Sequence, residues 1–163
     1  WETASELPWD VLILFGGGLS LSAMFTSSGL SLWIGEVAKG LGGLPTLMLI
    51  VSVAALVLVL TEFTSNTATA ATFLPIMGGV AVGIGLTEGG EQNVLLLTIP
   101  VALAATCAFM MPVATPPNAI AYSSGYVSMG DMLKGGVWLN VIALALITAT
   151  VYFIAIPVFG IVL

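Results

Sequence analysis

The chain has 163 residues, of which 59% are hydrophobic and only 6% charged. Soluble domains carry roughly a quarter charged residues, so this composition excludes an ordinary soluble domain and indicates a membrane protein. Lys39 and Lys134 are the only cations, histidine is absent and the formal net charge is -6, which argues against nucleic acid or anionic lipid headgroups as partners.

In chain order, the opening WETASELPWD has no initiator Met, basic region or cleavage site. It is not a signal peptide, and an abrupt start before an apolar run suggests a piece of a longer polypeptide. Val11 to Ile34 is a first run long enough to cross a bilayer. Gly16, Gly17, Gly18, Ser20 and Ser22 give it a small-residue face suited to close helix packing. Its far half, Phe25 to Ala38, is more polar and is expected at the interface. GLGGLP follows at 40–45, with Pro45 placed for the first turn of a helix.

Two apolar arms come next, Leu44 to Leu60 and Ala68 to Ile84. Between them Thr61, Glu62, Thr64, Ser65, Asn66 and Thr67 form a polar interruption. Ser, Thr and Asn compete for backbone hydrogen bonds and cap helix N-termini, so this stretch ends one helix and starts another, expected near Ala68. Each arm is near the lower limit for a full crossing. Two spans or a re-entrant hairpin would both fit, and a tip without Lys, Asp, Gly or Pro favours re-entry.

After a polar turn at Gly89 to Asn93, Val94 to Met111 is apolar and is expected to be helical for most of its length. Pro112, Pro116 and Pro117 then remove three donors and forbid a continuous helix. A helical segment resumes from about Ala119 to Val127, leaving Thr115 and Asn118 at a break in mid-run. Gly130 to Gly136, with Asp131 and Lys134, reads as an interfacial connection. Val137 to Leu163 is a final span without charge, with Pro157 as a point of kinking and no role beyond scaffolding. One lysine on each side leaves the orientation undecided.

Irregular backbone survives in hydrocarbon only where it is buried or lines a cavity. Transporters use such breaks, pointing half-helix N-termini at anions while freed carbonyls coordinate sodium. Both breaks have those parts: an Asn ahead of a helix, and hydroxyl, amide and carbonyl oxygens. With no Arg or Lys in these runs, a bound anion would depend on helix ends and co-bound cations. Glu62 is costly in a bilayer and must be paired, hydrated or protonated. It could hold the hairpin, face a cavity or relay a proton, and it is left out of the binding site.

These strings resemble the divalent anion/sodium symporter family, the sodium-coupled dicarboxylate, citrate and sulfate transporters. Ser65-Asn66-Thr67 within TEFTSNTATAATFLP is similar to the family's hairpin-tip signature. Ala114-Thr115-Pro116-Pro117-Asn118 resembles its second unwound stretch, and LFGGGLSLS at Leu14 to Ser22 is also typical. The resemblance implies an all-α membrane protein with two inverted repeats, of which this chain is the C-terminal one. Residues 1–43 would form a span and interfacial segment, 44–87 the re-entrant hairpin, 88–129 the broken helix and 130–163 the last span. It further implies sodium bound by Thr61, Thr64, Ser65, Asn66 and Ala114. Substrate would meet Ser65, Asn66, Thr67, Thr115 and Pro116. The implied partners are the N-terminal half of the transporter, a second copy in a homodimer, the bilayer of the inner (plasma) membrane and a dicarboxylate. The implied activity is sodium-coupled symport of a C4-dicarboxylate of the succinate or malate type by an elevator movement. A sodium-independent exchanger of the same fold, or a citrate or sulfate symporter, is the alternative.

An enzyme is not expected. There is no histidine for a Ser-His or zinc site, no pair of aspartates in the apolar runs, and Cys107 has no base. As the sole cysteine, Cys107 also cannot form a disulfide within the chain. A purely structural membrane subunit is the reading from another class. It differs in expecting stability and uptake to fail together when Asn66 is changed.

Overall fold

The computed structural model describes residues 45–162, together with scattered positions between 13 and 33. The first run, its interfacial half and the glycine-rich stretch before Pro45 lie largely outside these residues. Among the described residues all regular structure is helical.

Pro45 stands one residue ahead of α1 (Thr46–Thr61), and its carbonyl accepts from the Met48 and Leu49 amides at 2.8 and 3.2 Å. A short turn leads into α2 (Asn66–Gly83), which starts two residues before the expected Ala68 because Ser65 is the cap. Leu49 near the start of α1 and Ala81 near the end of α2 are both buried with Leu97, so the chain doubles back between them. Two 3-10 turns, Leu86–Gly89 and Glu91–Val94, carry the chain round through the left-handed Gly85 to α3 (Leu95–Ala104).

α3 is the centre of the bundle. Its Leu96, Val101 and Ala104 pack with Ile50, Ala54, Val57 and Leu58 of α1, with Phe73, Leu74 and Met77 of α2 against the same cluster. After a break comes the short α4 (Pro116–Ser123), and then α5 (Met129–Thr150), a π-helical turn (Val151–Ala155) and α6 (Ile156–Phe159). These last three run on as one helix of 31 residues, Met129–Phe159. At about 1.5 Å per residue it is roughly 46 Å long, more than a bilayer's hydrocarbon requires. It is the one helix among the described residues long and apolar enough to cross a membrane. Ile147, Val151 and Ala155 face the core, while Trp138 and Phe153 are 71% and 74% exposed. A helix apolar on its outward side as well as its inward one is built for lipid.

Two sequence expectations change here. Gly130 to Gly136 is not a connection: Ser128 and Asp131 form a capping box that starts α5 at Met129, so those residues are helical. The effect of Pro157 falls on the turn before it. Pro157 cannot donate to the carbonyl four residues back, and the helix widens to π geometry over Val151–Ala155.

The end of the chain is tied back by Asn93, which is buried. Its amide donates to the carbonyls of Leu86 at 3.0 Å and Val162 at 2.8 Å, and its oxygen accepts from the Val162 amide at 3.0 Å. Asn93→Leu leaves all three backbone groups unpaired and is expected to cost about 2 to 3 kcal/mol. A lowered thermal midpoint of the full-length protein in detergent is the readout. Gln92→Ala, which removes an exposed bond to Gly160, is expected to change it little.

Candidate functional site

The polar turn and the break meet through Glu62. Its side chain is fully buried and accepts four hydrogen bonds. Oε1 accepts from the Phe109 amide at 2.9 Å and from Asn140 Nδ2 at 2.8 Å. Oε2 accepts from the Met110 and Met111 amides at 2.9 and 3.0 Å. Among the described residues four donors and no cation face this carboxylate, so successive backbone N–H groups form an anion-binding concavity around it.

This accounts for the position of the break. Helical geometry ends at Ala104, well before Pro112, and Ala105 to Met111 is irregular. The amides of Phe109, Met110 and Met111, which have no helical partner, go to Glu62. The carbonyls of Ala108 and Met111 accept from Asn118 Nδ2 at 2.9 and 3.1 Å. One acid and one amide side chain thus satisfy three amides and two carbonyls that lipid could not. Of the three roles open to Glu62 in the sequence, the structure supports the first: it holds the hairpin turn to the break.

Beyond the break the helix resumes earlier than Ala119. Thr115 is the cap of α4, accepting from the Asn118 amide at 3.4 Å, and Pro116 occupies the first helical position, where a missing N–H costs nothing. Asn118 lies inside the first turn, its side chain turned back to the break. Ala114 is buried, and its amide donates to the Met111 carbonyl at 3.2 Å.

On the turn, Ser65 caps α2 by accepting from the Ala68 amide at 3.1 Å. Asn66 and Thr67 are the first two residues of that helix rather than lying ahead of it, and Thr67 is exposed. Thr64 bonds to the Leu60 carbonyl at 3.0 Å and to the Thr69 hydroxyl. The Thr61 hydroxyl, fully buried, lies 2.9 Å from both Asn66 Oδ1 and the Ala105 carbonyl. A hydroxyl has one proton to give, so three hard oxygens from turn and break converge with a single proton between them. Neutral oxygens of this kind suit a hard monovalent cation.

Of the residues expected to bind sodium, Thr61 and Asn66 are therefore in contact, and Ala105 joins them. Thr64 and Ser65 are engaged within the turn and the start of α2, and Ala114 hydrogen-bonds within the break. The residues expected to face substrate sit at two helix starts, Ser65, Asn66 and Thr67 at α2 and Thr115 and Pro116 at α4. Sequence reasoning missed Ala105, whose carbonyl no motif marks, and Asn140, which as the one amide side chain in the last apolar run was a usable signal.

Residues 1–161 match the family described as the sodium:sulfate symporter transmembrane region. The chain belongs to that family. It is an integral membrane protein, as membership of a family described by its transmembrane region indicates and as its composition and long apolar helix agree. Among relatives, a sodium-dependent dicarboxylate transporter of Staphylococcus saprophyticus is 45% identical over 161 residues, covering 99% of this chain. Proteins of the same name from two Staphylococcus aureus strains are 47% identical over the same length. The chain spans 30% of the length of each of these relatives. The resemblance drawn from the Ser65-Asn66-Thr67 string is thus borne out at the level of the family.

Removing the Glu62 charge strands buried donors rather than merely deleting a contact. Glu62→Leu is expected to destabilise the full-length protein by about 3 to 5 kcal/mol, and Glu62→Gln by less, since one oxygen survives. Thermal unfolding in detergent, followed by size-exclusion, checks the order wild type, Gln, Leu.

Proposed function

We propose that this chain is the C-terminal half of a sodium-coupled C4-dicarboxylate symporter of the plasma membrane. The observation that carries the reading is the convergence of Thr61, Asn66 and Ala105 oxygens where the turn meets the break. The relatives' names supply its context, sodium as the coupling ion and a dicarboxylate as the cargo. Sodium binds through Thr61 and Asn66, with the Ala105 carbonyl added and Thr64, Ser65 and Ala114 completing the set from the two elements. One substrate carboxylate is received by Ser65, Asn66, Thr67, Thr115 and Pro116, and the other by the N-terminal half of the polypeptide.

The physical logic is charge compensation. No Lys or Arg occurs between Lys39 and Lys134, so the positive ends of α2 and α4 and the bound sodium offset the dianion. α1 has 16 residues, about 24 Å, which is short for a roughly 30 Å hydrocarbon layer and favours a re-entrant hairpin. We assign the hairpin, the broken helix and the last span to one repeat of an inverted pair, in a homodimer whose carrier unit moves like an elevator.

Full-length protein in proteoliposomes is expected to accumulate labelled succinate under an inward sodium gradient and not under potassium. Asn66→Ala is expected to lower that uptake at least about tenfold with insertion and thermal midpoint kept, as loss of a ligand oxygen predicts. Uptake that ignores sodium but requires internal dicarboxylate would replace symport by exchange. Stability and uptake lost together would favour a structural role for Asn66.

A further inference from the structure

The last helix meets the break at two places one turn apart. Gly136 is the first. It is buried, and a Cβ there would lie 2.6 Å from Met110 Cα and 2.8 Å from its amide nitrogen, so only hydrogen allows the two backbones to approach. Asn140 is the second. It lies four residues on, hence on the same face of α5, and donates to Glu62 Oε1 at 2.8 Å. Met110 is therefore held from two sides, its amide on Glu62 Oε2 and its Cα against Gly136.

Asn140 adds a further sign. Its own Oδ1 is buried and has no hydrogen-bond partner among the described residues. Such an atom is a standing cost in an apolar helix, and any aliphatic residue would avoid it. What Asn140 gives in return is the donor that shares Oε1 with the Phe109 amide, which fixes the carboxylate so that Oε2 faces the next two amides.

We propose that the Gly136–Asn140 face of α5 is a positioning surface for the unwound segment. Acting through Glu62, it sets where the break, and with it the Ala105 carbonyl, stands against Thr61 and Asn66. Gly136 and Asn140 are positioning residues, at a distance from the cargo itself, and their effect on transport rests on the function proposed above. The last span is then a template for the site as well as a scaffold.

Hydrogen exchange of the full-length protein in detergent, read on peptides covering 105–112 and 95–104, tests the placement without reference to cargo. Asn140→Leu is expected to speed exchange of the Phe109 to Met111 amides about tenfold or more, as loss of a bond to a charged group predicts. The α3 amides are expected to stay protected, and Asn140→Gln to fall between Leu and wild type. Gly136→Ala disturbs the other contact and is expected to give the same local pattern. In proteoliposomes both variants are expected to raise the sodium concentration for half-maximal uptake and the succinate KM by about tenfold, with the maximal rate less affected. Unchanged exchange at Phe109 to Met111 in both variants overturns the proposal, as does a rise shared equally by α3. A wild-type protein without sodium-dependent uptake would sink the functional reading alone, since the exchange measurement decides the positioning by itself.

Discussion

A buried carboxylate with no cation beside it among the described residues holds this structure together. Glu62 is the only ionisable side chain between Lys39 and Glu88, and the four groups around it are three backbone amides and one side-chain amide. In a low-dielectric interior an unmatched acid would be expelled or neutralised, and unmatched amides would refold into helix. Each therefore requires the other. The acid can be buried because the chain past Ala104 is unwound, and the chain can stay unwound because the acid is there. Turn, break and last helix follow from that mutual dependence.

The same arrangement separates support from chemistry. Glu62, Asn118 and Gly136 spend their hydrogen-bonding or steric capacity on the backbone of the break, and Asn140 spends its donor on Glu62. Thr61, Asn66 and Ala105 are left as an oxygen cluster at its edge, and Ser65 and Thr115 as the caps of two helices. Rigid supports under a cluster of neutral oxygens would suit the proposed binding and release of a cation, because the oxygens need not be reorganised each time. α3 supplies the rest, since burial of its Leu96, Val101 and Ala104 fixes where the helix ends and Ala105 begins.

Family membership and geometry contribute different things. The match over residues 1–161 establishes what kind of protein this is. The coordinates relate residues that no motif links: Thr61 to Ala105, and Glu62 to Asn140. They also move the boundaries of the motif residues. Asn66 and Thr67 belong to α2 instead of preceding it, so Ser65 is the residue that ends the irregular turn.

Much of the fold was legible because it is written in local chemistry. Apolar runs, the hydroxyl-rich interruption at Thr61 to Thr67 and the prolines at 112, 116 and 117 act within a few residues, and they marked the turn before α2, the irregular stretch ahead of α4 and a long apolar last helix. The string around Ser65-Asn66-Thr67 also pointed to the family. The partner of Glu62, the end of α3 at Ala104 rather than near Pro112, and the part played by Asn140 were not legible. They depend on hydrogen bonds between residues 44 to 78 positions apart, and such bonds exist only once α1, α3 and α5 are packed together. Composition tells which groups cannot be left alone in lipid; packing decides which of them find each other.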